Sequence, residues 1–110
     1  MNNLKSNQMK KDIFIRTLNK VCQLYGVNKK DIFTKTKKQL IADARHLLYY
    51  ICLQEKNFKI SYIQQYMKEH GYAADHAEII YGKNKISEML SKDSDTQDKI
   101  AEIQSECISS

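Results

Sequence analysis

The chain has no proline, and glycine occurs only at positions 26, 71 and 82 of its 110 residues. Sandwiches and barrels built from many short strands need turn residues at each reversal, and this sequence does not supply them. Paired cysteine or histidine spacings are missing too. Cys22, Cys52 and Cys107 are odd in number and far apart, so no metal site and no cofactor is expected. No apolar run approaches the length of a membrane span, and the Asn- and Lys-rich N-terminus lacks the apolar core of a signal peptide. The expectation is a cytoplasmic protein with reduced thiols and no membrane partner. Three histidines and scattered carboxylates form no catalytic spacing, so no enzyme is expected.

What is present is apolar residues at helical spacing. Hydrophobic residues make up 42% of the chain and recur along its length, enough for one modest core. Residues 1–8 are polar and read as a flexible N-terminus, leaving residues 9–107 as a single domain. From Lys10 to Tyr25 the residues Phe14, Leu18, Val21, Cys22 and Tyr25 repeat at three- and four-residue steps, which makes one apolar helix face, and Gly26 offers a left-handed stop. A short helix can start after Asn28 and carry Ile32 and Phe33 inward. The clearest helix spans Thr36 to Gln54, with Leu40, Ile41, Ala44, Leu47, Leu48, Ile51 and Cys52 in one stripe, and it reads as the scaffold for the others. Ser61 is the expected N-cap of a fourth helix that His70 and Gly71 end, with Ile63, Tyr66 and Met67 inward. Asp75 is the expected N-cap of a fifth helix reaching Leu90. Ser94 or Asp95 is expected to cap a last helix with Ile100, Ile103 and Cys107 on its apolar side. The fold class is therefore all-α, a bundle of about six helices.

Charge divides the chain. Residues 1–60 hold 13 Lys and Arg against 4 Asp and Glu, a net of +9, while residues 61–110 hold 5 against 9, a net of −4. A basic half gathers phosphate, and binding driven by counterion release depends on salt. The competing reading is a solvated lysine-rich face. Lys37 and Lys38 open the long helix at the positive end of its dipole, where cations cost a few tenths of a kcal/mol to about 1 kcal/mol. A phosphate bound there turns that cost into a favourable contact.

Several motifs, in order, resemble one family. Tyr25-Gly26-Val27-Asn28-Lys29-Lys30-Asp31-Ile32 is followed by the basic loop Thr34-Lys35-Thr36-Lys37-Lys38, then by Leu40-Ile41-Ala42-Asp43-Ala44-Arg45. Asp75-His76 heads the fifth helix, and Lys85-Ile86 lies further along it. Over roughly residues 12–104 this resembles the C-terminal DNA-binding domain of the bacterial replication initiator DnaA, a helical bundle of Trp-repressor type containing a helix-turn-helix. The resemblance implies sequence-specific double-stranded DNA binding, in replication initiation or its regulation. Departures fall in the run Gly71-Tyr72-Ala73-Ala74-Asp75-His76-Ala77-Glu78. Ala74 stands where the family has an arginine that reaches bases, and Ala77 and Glu78 stand at its two threonines. The turn before Asp75 is longer, and Gln64 replaces a glycine of the fourth helix. A Gly-rich phosphate loop ending in Lys-Ser or Lys-Thr is absent, so the initiator's nucleotide-binding module is not expected here.

The resemblance makes Asp75, His76, Ala77 and Glu78 the candidate base contacts. An ionised Asp75 or Glu78 accepts from a cytosine amino group, and His76 donates, accepts, or packs on a thymine methyl. Asp75 is otherwise an N-cap, and His76 an ordinary surface histidine. Lys35, Lys37, Lys38 and Arg45, with Lys83 and Lys85, are the candidate phosphate contacts. Arg45 is read at the polar edge of the long helix, where its fork suits phosphate or an acidic side chain such as Asp43. Tyr49, Tyr50, Tyr62, Tyr66, Tyr72 and Tyr81 are read chiefly as core or boundary residues rather than as stacking platforms. Groove binding requires the start of the fifth helix and the lysines near position 37 to share one side. The alternative is a bundle that lost DNA recognition and binds a protein partner or itself. The missing arginine, Glu78 and the acidic tail from Asp93 to Glu106 motivate that alternative.

Overall fold

A computed structural model describes residues 2–109, with side chains placed over residues 8–103. The first helix, α1 (Asn2–Tyr25), begins well before the apolar repeat, since no glycine or proline interrupts the polar stretch ahead of it. Its buried row is Phe14, Leu18, Val21 and Cys22. Gly26, at φ 66°, closes it, and the Val27 N–H reaches the Cys22 carbonyl at 3.0 Å. The short α2 (Lys29–Ile32) then starts as expected after Asn28, whose N–H donates to Asp31 Oδ2 at 3.4 Å.

The long helix is shorter than its periodicity predicts. α3 (Gln39–Tyr50) passes into a π-helical turn over Ile51–Glu55. There the Lys56 N–H reaches the Ile51 carbonyl at 3.0 Å and the Phe58 N–H reaches Cys52 at 2.8 Å. Asn57 turns the chain out at φ 57°, a conformation asparagine tolerates better than most residues. The apolar stripe continues through the π turn, so hydrophobicity alone could not mark where the α-helix ends. At the other end Thr36–Lys38 stay outside the helix, and Thr36 Oγ1 accepts the Lys38 N–H at 3.3 Å. Leu40, expected in the core, is 51% exposed. It shares a side with buried Leu47 but sits in the first turn, where little covers it.

α4 (Ile60–Glu69) follows Lys59 rather than Ser61, two residues earlier than expected, and buries Ile63, Tyr66 and Met67. Gly71 ends it at φ 87°, a backbone angle that strains any residue with a Cβ. That turn lets the Tyr72 N–H reach the Met67 carbonyl at 3.0 Å and sends the Tyr72 ring inward. α5 (His76–Leu90) has the predicted cap, with Asp75 Oδ1 accepting the Glu78 N–H at 2.7 Å. α6 (Ser94–Ser109) is led in by Asp93 rather than Ser94 or Asp95. The Asp93 carboxylate accepts the Thr96 hydroxyl at 3.0 Å and the Asp95 N–H at 3.1 Å.

The protein is all-α, with six α-helices among the described residues. α3 is the scaffold: it packs chiefly on α5 and also on α1 and α2, while α6 crosses α1 and α5. The close approach of α3 and α5 depends on Gly82. A Cβ there would lie 2.8 Å from the His46 ring and 3.0 Å from the Tyr49 ring. Cys22 and Cys52 are free thiols in the core, and burial pushes the pKa of each up. The side chains of Glu106 and Cys107 lie outside the described residues. Among those described, no helix is long and apolar enough to cross a membrane. No group of three or more His, Cys, Asp or Glu among them is placed to hold a metal ion.

Candidate nucleic-acid interface

The start of α5 is presented to solvent. Asp75, His76 and Ala77 are all exposed, and the buried row of this helix is Ile79, Gly82 and Ile86. The basic loop between α2 and α3 is exposed at Lys35, Lys37 and Lys38. Tyr72 joins the two. It lies three residues before Asp75, and its ring centroid is 4.6 Å from Lys35 Nζ and 4.6 Å from Arg45 Cζ. Cations over an aromatic face are attracted by the ring quadrupole, here worth about 0.5–2 kcal/mol each. Lys35 thus sets the basic loop against the turn that leads into α5.

Arg45 does not stand at the polar edge of α3. It is only 6% exposed. Its Nε donates to the Ile32 carbonyl at 2.9 Å, and one terminal nitrogen donates to the Thr34 carbonyl at 2.8 Å. The fork read as a phosphate contact is spent on the carbonyls at the end of α2, where it pins the root of the basic loop. Helical periodicity placed the residue correctly on α3 but could not reveal that the chain folds back over it.

Glu78 also moves out of its expected role. Its Oε2 accepts the Tyr49 hydroxyl at 2.9 Å and the Tyr72 hydroxyl at 2.7 Å. Its carboxylate is held by one phenol from α3 and one from the turn before α5 rather than aimed outward at base edges. Burial, reinforced by the Glu78 charge and hydrogen bond, pushes the Tyr49 hydroxyl well above the usual phenol range. Burial first, then the bond to Glu78, pushes Tyr72 up to about 12. Both phenols thus remain donors at neutral pH. Both tyrosines are buried, as their reading as core or boundary residues expected, but no motif pointed to the carboxylate they share.

Removing the shared acceptor tests this cluster. Glu78→Ala is expected to cost about 1–3 kcal/mol in a denaturant melt, since buried hydroxyls lose their partner. Glu78→Gln keeps an acceptor oxygen and is expected to recover most of that loss. Equal midpoints for wild type and Glu78→Ala contradict the cluster's role.

The turn before Asp75 is braced from α4. Ala74 is buried, and its carbonyl accepts a bond from Gln64 Nε2 at 3.1 Å. Gln64 thus ties α4 to the turn before Asp75. Of the remaining candidates, Lys83 is half-buried, while Lys85 is exposed with its Nζ 6.0 Å from the Tyr81 ring centroid. Among the seven tyrosines only Tyr81 is exposed, at 57%.

No family model matches the chain, and no solved structure matches it significantly. Over 77 residues, 70% of its length, the chain is 30% identical to the chromosomal replication initiator protein DnaA of Jannaschia sp. (strain CCS1). It spans 15% of that relative's length. The likeness is compatible with a DnaA C-terminal domain.

Proposed function

We propose that this chain is a double-stranded DNA-binding domain of the DnaA C-terminal kind, acting in replication initiation or its regulation. In this reading it is a non-catalytic, cytoplasmic protein. α4 and α5 form its helix-turn-helix, and the head of α5 enters a major groove. His76 and Asp75 face base edges there, and Lys35, Lys37 and Lys38 hold the neighbouring phosphates. Lys85, and Lys83 at the flank of α5, lie further along the same duplex.

The observation that carries this reading is the contact of Lys35 with Tyr72. It ties the basic loop to the turn that leads into α5, so one duplex can meet both. The likeness to a replication initiator supports it independently. The inward turn of Glu78 favours DNA over a protein partner, because its carboxylate does not oppose the phosphates from the groove face. Asp75, its Oδ1 engaged by the Glu78 N–H, has its other carboxylate oxygen for a cytosine amino group.

Selection of bound sequences from a random duplex pool, at stated salt, tests the proposal. Enrichment of a single motif is expected, and His76→Ala is expected to relax discrimination at one base pair by about 1–3 kcal/mol while leaving the salt dependence unchanged. Uniform weak retention of all duplexes contradicts sequence-specific recognition. Absence of duplex binding even at low salt, with a discrete protein complex formed instead, supports the protein-interaction alternative.

A further inference from the structure

We infer that Tyr81 is a groove-contact residue whose ring covers a thymine methyl one helical turn beyond Ala77. This rests on the double-strand reading above and adds a specificity determinant that the DnaA-like motifs do not supply.

The face of α5 opposite its buried row carries Ala77, Tyr81, Asn84 and Glu88, all exposed. Tyr81 is the single aromatic on that face, and its ring has a neighbour from α3. The His46 ring meets it edge-on, with centroids 5.6 Å apart and planes at 78°. His46 reaches that position because Gly82, the next residue of α5, has no Cβ to push it away. Burial holds the His46 pKa below the usual imidazole value, so a neutral ring supports the tyrosine at neutral pH. A side chain already held in place loses little rotamer freedom on binding.

Position and chemistry select the ligand feature. Tyr81 lies about 7.5 Å along the helix axis from His76, or roughly two base-pair steps at 3.4 Å each. A major groove is about 8.5 Å deep, and thymine is the base that presents a methyl group there. Ala77, at the position of a family threonine, offers a methyl and no hydroxyl. The aromatic one turn later supplies the large apolar area, and Lys85, one further turn along, holds its charge 6.0 Å from the ring centroid.

The test uses the full chain and its selected duplex, with affinities measured by fluorescence anisotropy at fixed salt. Tyr81→Ala is expected to weaken binding by about tenfold, and Tyr81→Phe, which keeps the ring, by less than about twofold. Deoxyuridine in place of the contacted thymidine removes one methyl and is expected to weaken wild type by about fourfold. The two losses should not multiply: on that uridine duplex Tyr81→Ala is expected to cost less than about threefold. Full multiplication at every thymidine, or wild-type affinity in Tyr81→Ala, overturns the inference while leaving duplex binding intact. Loss of affinity confined to single-stranded oligonucleotides also overturns it, in favour of base stacking. A wild-type chain that binds no duplex overturns the inference together with the reading it rests on. Because Tyr81 is exposed and loses only an edge contact with His46, a single cooperative melt within a few degrees of wild type is expected and keeps these outcomes separate from misfolding.

Discussion

Replacing Arg45 by alanine is expected to lower the unfolding free energy by about 3–5 kcal/mol, a large part of the 5–15 kcal/mol typical of a domain. The guanidinium makes two short bonds, to the carbonyls of Ile32 and Thr34. Bonds from a charged donor are worth about 1.5–3 kcal/mol each. The variant also removes a cation from beside the Tyr72 ring. Arg45→Lys keeps the charge and much of the stem, but one compact ammonium cannot reproduce the planar fork, so less than half of the loss should return. Urea melts decide the matter. A midpoint within experimental error of wild type contradicts the structural role and revives the phosphate contact first read from the sequence. In that case the salt dependence of DNA binding, not stability, should respond, by about one unit of slope.

Arg45 also shows how far the sequence alone reaches. The scaffold helix was legible, because Ala44, Leu47 and Leu48 recur at steps that only a helix brings to one face. Cap residues with a local partner were legible as well: Asp75 bonds Glu78 three positions away, a spacing visible in the sequence. Asp93 was not picked out, although its bonds are equally short in range, since Ser94 and Asp95 are comparable caps. The end of α3 escaped for a different reason. The π turn keeps apolar residues on the buried side after the α pattern stops, and composition does not encode that change of hydrogen-bond register.

The candidate site divides along the same line. Exposure at Asp75, His76, Ala77 and the loop lysines agrees with what their position at the head of α5 and in a charged loop implies. Arg45 and Glu78 were read as DNA contacts because no motif marks their internal partners, 11 to 13 residues away for Arg45 and 6 and 29 for Glu78, and their chemistry suits DNA and internal carbonyls or phenols equally. Tyr72 offers no distinguishing sequence signal. It becomes important only because Gly71 turns it inward between two cation-bearing segments.

The loop lysines carry the largest expected effect on binding. If Lys35, Lys37 and Lys38 each neutralise one phosphate, their removal reduces the steepness of log affinity against log salt by about 2.7. Near 0.1 M salt that corresponds to a loss of about a hundredfold to a thousandfold, shared by all duplex sequences. The fold should persist, at no more than the cost of the Lys35 contact with Tyr72, because all three side chains are exposed and none appears in the core. Lys35 contributes most to the spatial link, through Tyr72, so Lys35→Ala alone should account for about one unit of slope.

In the proposed binding mode the basic loop and the head of α5 grip one duplex together. Its most direct measurement is the salt dependence of duplex affinity for wild type, the triple lysine-to-alanine variant and His76→Ala. The account predicts a slope shallower by about 2.7 in the triple variant, with its sequence preference kept, and an unchanged slope with eroded preference in His76→Ala. A triple variant that binds duplex with the wild-type slope contradicts it.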